Sequence, residues 1–213
     1  MSSLDQQHAE VGLFLSWPFE DATPPLPVFD TAQRRFRRVL RAAARWEEVV
    51  ASPGSFRGMT RADFLHLPAR DVDYSLRVMA STFTSRWLEV VVADGVAVTL
   101  ASRALILTER IIDLCIRVRT VPEEPDVRRA LLVRQATADA ALAAAANAAR
   151  RYFGSSHEDV EATLDSSSVQ AIAGGMIFHQ AADLIVPEGA SVRLVSQDEA
   201  AQIVSQIRGV PTA

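Results

Sequence analysis

The apolar residues of this chain crowd into the stretch from Trp87 to Val121 (WLEVVVADGVAVTLASRALILTERIIDLCIRVRTV), and any fold has to bury it. Leading into that stretch, Val72, Leu76, Met79, Phe83, Trp87 and Val90 recur at steps of three and four, which at about 100° per residue puts them on one narrow helix face. Beyond it, Thr99, Arg103, Arg110, Asp113, Arg117 and Thr120 trace a polar stripe at the same spacing, interrupted by Ile106. The run from Val96 to Val121 holds no Gly, Pro or Asn that could turn a meander. The spacing therefore predicts two long helices joined at Asp94-Gly95, with Gly95 as a left-handed cap. A second reading stays open. The run is rich in β-branched residues, Ile112 to Arg119 alternates, and Asp-Gly between valines is a strong hairpin signal.

Elsewhere the pattern is plainer. Val11 to Trp17 alternates as a short strand or extended arm, and Pro18, Pro24, Pro25 and Pro27 then predict a polyproline-like segment lying over the core. Asp30 or Thr31 suits the N-cap of a helix that runs to about Ser52 and stops before Pro53-Gly54. Phe36, Val39, Leu40, Ala43, Trp46 and Val50 form its apolar face. Residues 53–71 read as irregular, with one helical turn between Thr60 and Leu67. Pro122 and Pro125 bracket an acidic turn that opens an alanine-rich helix to about Phe153. Val127, Leu131, Ala138, Leu142, Ala145, Ala149 and Tyr152 share a face there, and small side chains let helix backbones approach closely. The contact is either within the chain or between subunits, and Ala138, Ala145 and Ala149 are the candidate interface residues. After Gly154, helices are expected over Ser156–Leu164 and Ser168–Val186, the second broken at Gly174-Gly175. A strand over Ser191–Ser196 and a helix from Gln197 to Ile207 follow. The two strand candidates, at opposite ends of the chain, would close the fold if they paired.

Composition narrows the function classes. A chain of 213 residues with 49% hydrophobic content can bury one sizeable core. No uncharged apolar run approaches the ~20 residues of a membrane span, and MSSLDQQHAE has neither a basic n-region nor an apolar h-region. A single cysteine, Cys115, leaves no internal disulfide. Together these predict a cytoplasmic protein. All 22 basic residues are arginine and asparagine occurs once, a bias that points to a GC-rich bacterial or phage genome. Without a lysine there is no P-loop lysine, no Schiff base and no Ser-x-x-Lys hydrolase. No Cys-x-x-Cys, His-Glu-x-x-His or Gly-x-Ser-x-Gly occurs either.

Two constellations remain. Arg34, Arg37, Arg38, Arg41 and Arg45 fall opposite the apolar face of the first long helix, an electropositive row in a chain of net charge −4. Such a row suits phosphate, an anionic membrane surface or an acidic protein surface; the acidic balance and only two tyrosines weigh against nucleic acid. His157 with Glu161, and His179 with Asp183, stand at i,i+4, so two packed helices would offer two nitrogens and two carboxylates to a transition metal. Against that, exposed pairs of this kind are ordinary on helix surfaces. Ser155, Ser156, His157 and Asp159 resemble a triad only in composition, because sequence neighbours cannot adopt the relay geometry. Cys115 falls on a core helix, where a thiol is inert.

The expectation is a mainly α protein, a multi-helix bundle with a short N-terminal strand or arm and a small mixed C-terminal segment; the alternative is α+β with an Asp94-Gly95 hairpin. Its segments are a proline-rich arm (1–29), a helical core (30–153) and a smaller C-terminal segment (154–213). The expected role is non-enzymatic, an interaction or assembly component that binds protein partners and itself, without a cofactor. A nucleic-acid-associated regulator using the arginine-rich helix 31–52 and a metal-dependent enzyme are the alternatives.

Overall fold

A computed structural model describes residues 11–19, 25–68, 71–83, 86–119, 124–154 and 163–209. Helix accounts for 65% of the described residues, with a small antiparallel sheet beside it. The protein is therefore mainly α or α+β.

The sheet has the order β2-β3-β1-β4, built from β1 (Val11–Pro18), β2 (Leu76–Phe83), β3 (Arg86–Ala93) and β4 (Ser191–Ser196). The two strand candidates at the chain ends do pair, Leu13 opposite Leu194 and Leu15 opposite Val192. Of the two readings of Val11–Trp17, strand or extended arm, the strand is the one formed, and β1 is an inner strand. It is flanked by β3 on one side and β4 on the other.

The region before Asp94 is the main correction. Helical spacing from Leu76 to Val90 was coincidental; β2 and β3 pair antiparallel there, with Val78 opposite Val91 and Phe83 opposite Trp87. Asp94-Gly95 does not lie between these two strands, so the hairpin alternative placed its turn wrongly as well. Asp94-Gly95 instead carries the chain from β3 into the helix α4 (Val98–Arg117). Gly95 has φ 103°, where a side chain is strained. Ser75, with 3% exposure, fastens this corner: its carbonyl accepts from the Asp94 amide at 2.8 Å and its Oγ from the Ala97 amide at 3.1 Å. Strand β3 imitated a helix because both its faces are buried, which erases the alternation that marks a one-sided strand. Trp87, Glu89, Val91 and Ala93 point toward the large core; Val90 and Val92 point the other way.

α4 itself follows the prediction. Its Thr99, Arg103, Arg110 and Arg117 are exposed, while Leu105, Ile111, Ile112 and Leu114 are fully buried, so the alternating reading of Ile112–Arg119 is not realised. α4 shares the large core with α1 (Leu26–Ala51), which begins earlier than expected: Pro25 is the N-cap and Pro27 lies in the first turn. Proline is tolerated there because the first amides have no intrahelical acceptor. Thr60 and Asp63 then form a capping box that starts the short helix α2 (Arg61–Leu65), and α3 (Asp71–Tyr74) leads into β2.

The alanine-rich segment is two helices, α5 (Pro125–Ala136) and α6 (Ala140–Gly154). Asp139 breaks it, its Oδ1 accepting from the amides of Ala141 and Leu142 at 2.9 and 3.3 Å. α7 (Ser166–Ala182) runs unbroken through Gly174-Gly175. The glycines are there for close approach: a Cβ on Gly174 would lie 2.7 Å from the Ala145 carbonyl oxygen, and one on Gly175 would lie 2.3 Å from the Tyr152 ring. Ala145 and Ala149 are fully buried within one chain, where this small face packs against α7. Ala138 is exposed in the α5–α6 turn, away from that contact. α8 (Gln197–Arg208) covers the second face of the sheet, where Val204 and Ala200 pack with Val90, Val92, Val195 and Phe14. No helix among the described residues is long and apolar enough to cross a membrane.

Candidate binding face on α1

The arginines of α1 divide by what they touch. Arg34, Arg38 and Arg41 are exposed and make no ion pair among the described residues. Arg37 and Arg45, assigned by spacing to the same solvent-facing row, each pair with a carboxylate. Arg45 is buried; its guanidinium donates to Glu48 Oε2 at 3.1 Å and to the Pro68 carbonyl at 3.1 Å. It belongs to the scaffold. A buried arginine is tolerated because its charge is paired and its donors are occupied.

Arg37 is exposed as well but reaches Glu89, whose side chain is fully buried, with Nε 3.9 Å from Oε1. The other oxygen of Glu89 accepts from Gln33 Nε2, Ser81 Oγ and Trp87 Nε1, each at 3.1 Å. The four groups come from α1, β2 and β3, so this carboxylate fixes one turn of α1 against the sheet. Sequence reasoning missed it, although Glu89 is the one charge inside the apolar run from Trp87 to Ala93, a signal that a buried charge with dedicated partners was needed.

Beside the exposed arginines lies a depression of about 340 Å³. Arg38, Arg41 and Arg45 form one wall, and Phe64, Leu65, Leu67 and Met176 supply an apolar floor. Leu65 is 41% exposed. Two positive side chains next to a partly exposed apolar surface resemble the centre and rim of a protein interface, where arginine, aromatic residues and methionine are enriched.

Among the described residues the other candidates assemble into no site. His157 and Glu161 lie outside the described residues, as do Ser155, Ser156 and Asp159. His179 is exposed on the last turn of α7 and Asp183 is its half-buried C-cap; among the described residues no three His, Cys, Asp or Glu side chains come close enough to hold a metal ion. Cys115 is buried, its Sγ 3.7 Å from the Ala181 carbonyl, and desolvation pushes its pKa up to about 12. A thiol held protonated in this way is no nucleophile at neutral pH.

Comparison of the chain with protein-family models, with curated proteins and with solved structures finds no match.

Proposed function

We propose that the chain is a non-enzymatic binding protein that docks an acidic protein surface against α1. The observation that supports this is the split among the arginines: those needed by the fold are paired with Glu48 and Glu89, while Arg34, Arg38 and Arg41 are exposed without an ion pair among the described residues, beside an apolar depression. An acidic partner with one apolar anchor would satisfy both features. Duplex nucleic acid would use the arginines but leave the apolar floor unfilled.

The test is a triple replacement, Arg34→Gln, Arg38→Gln and Arg41→Gln, assayed with a fluorescent glutamate-rich peptide that carries one leucine. Exposed substitutions of this kind change stability by about 0.5 kcal/mol or less each, so the variant should melt near the wild type. Peptide affinity should fall steeply in the variant, and in the wild type it should weaken as salt is added. Wild-type protein that ignores the peptide but binds duplex DNA with salt-sensitive affinity would replace this reading with the nucleic-acid regulator. Binding neither would remove the role assigned to α1.

A further inference from the structure

A second, larger cavity lies at the N-terminal end of α1. It occupies about 700 Å³ between the end of β1, the first turns of α1 and the connection from α7 to β4. That volume is in the range of small-molecule sites, roughly 300–1,000 Å³. Trp17, Phe19, Pro27, Val28, Ile185 and Val186 give it apolar walls. Val28 and Ile185 remain 48% and 64% exposed, so apolar surface stays in water unless something covers it.

The polar groups decide what that occupant is. The Thr31 hydroxyl is already committed to the Pro27 carbonyl at 2.7 Å. Glu188 is turned to solvent and paired with Arg119 at 3.3 Å. Arg35 lines the cavity, is half-buried, and forms neither an ion pair nor a hydrogen bond among the described residues. The N-terminus of α1 also borders the cavity, with no side-chain cap and no acidic residue in its first turn, so the helix presents its positive end there. A guanidinium without a partner among the described residues and the positive end of a helix, set in apolar walls, complement a single negative charge on an apolar body. A planar guanidinium pairs with a carboxylate through two parallel hydrogen bonds.

We infer that this cavity binds an apolar monocarboxylate of the fatty-acid class, its chain lying along Trp17, Val28 and Ile185 and its carboxylate on Arg35. The site is separate from the arginine face, and either can fail without the other.

Titration calorimetry on the full chain tests it, with decanoate below its micelle-forming concentration as probe and decanol as the neutral counterpart. Wild-type protein should bind decanoate, and decanol more weakly. Arg35→Gln should weaken decanoate binding by about tenfold or more, the scale of a lost charge-assisted hydrogen bond, and leave decanol unchanged. Val28→Asp is the second variant: it sits at an exposed position, adds an acid to the first turn of α1 where the helix end favours one, and should keep the fold while repelling the carboxylate. Failure of wild-type protein to bind decanoate, equal binding of decanoate by Arg35→Gln, or undiminished binding by Val28→Asp would each overturn the inference.

Discussion

The contact of α7 with α6 and the contact of α8 with the sheet bury helices in opposite ways. Across α6 and α7 the surfaces meet because side chains are missing: Gly174 and Gly175 face Ala145, Ala148, Ala149 and the Tyr152 ring. Glycine costs a helix about 1 kcal/mol relative to alanine at each position, so α7 keeps its helical form here through what packs on it. α8 has every local signal in its favour. Ser196 accepts from the Glu199 amide at 3.2 Å, Asp198 and Glu199 occupy the first turn, and Gly209 closes the helix at φ 66°. Its buried contribution is modest, Ala200 and Val204 with Ile203 and Ile207 packed around them. At Gly174-Gly175 the neighbouring helix keeps α7 helical, whereas α8 is specified along its length by its own sequence. Their tolerance to substitution should differ accordingly.

The largest effect is expected at Gly174. A Cβ there meets the Ala145 carbonyl oxygen at 2.7 Å, the Ala148 Cβ at 2.9 Å and the Ala149 amide nitrogen at 3.0 Å. Two of these are backbone atoms of a buried helix and cannot rotate aside. Gly174→Val should therefore cost more than about 3 kcal/mol in chemical denaturation, the upper end of ordinary overpacking. Stability within about 1 kcal/mol of wild type would mean that α6 and α7 stand further apart than described, and would return Ala145 and Ala149 to the list of available surfaces.

The same contrast explains what could be read in the sequence. β1, β4 and α8 were legible because each carries its own signal: alternation in Val11–Trp17, a short apolar segment after the Pro187-Glu188-Gly189 turn in Ser191–Ser196, and caps at both ends of Gln197–Arg208. α4 was legible from its polar stripe. β2 and β3 were not, since Leu76, Met79, Phe83, Trp87 and Val90 happen to recur at helical steps while β3 is buried on both faces. The break expected at Gly174-Gly175 failed for a related reason, because a local helix breaker was overridden by a tertiary contact far away in sequence. At the binding face, spacing found the arginine row but could not divide it. Arg37 is taken by Glu89, which comes from a distant strand, whereas the Arg45–Glu48 pair stands at i,i+3 and was visible in the sequence.

A middle-sized effect is expected on the other side of the sheet. Val204 is 7% exposed and packs in the small cluster under α8. Val204→Ala removes two buried methyl groups, at roughly 0.8 kcal/mol per buried carbon, so a loss of about 1.5 kcal/mol is expected, with little cavity term because α8 covers the sheet as a single helix and can settle inward. Hydrogen exchange should show faster opening of α8 and β4 while α6 and α7 keep wild-type protection. Uniform acceleration across the whole chain would show that the two contacts unfold together and that the contrast between them has no energetic meaning.

The smallest effect concerns the place where α8 meets the sheet edge. β2 is an outer strand, and its pairing with β3 shifts register between Val78 and Ala80. Met79 and Val78 are 40% and 44% exposed there, and exposed edge strands invite pairing with other chains. Arg208, in the last turn of α8, donates from Nη2 to the Met79 carbonyl at 3.0 Å. A register shift and an arginine on a carbonyl both blunt the edge. Arg208→Gln leaves the apolar packing of α8 intact and removes one exposed hydrogen bond, so it should cost no more than about 1 kcal/mol. Its consequence should appear in behaviour at high concentration: light scattering on heating should begin earlier for Arg208→Gln than for Val204→Ala, although the latter is the less stable protein. If scattering follows stability alone, Arg208 is merely a helix-end arginine and the edge is protected by the register shift.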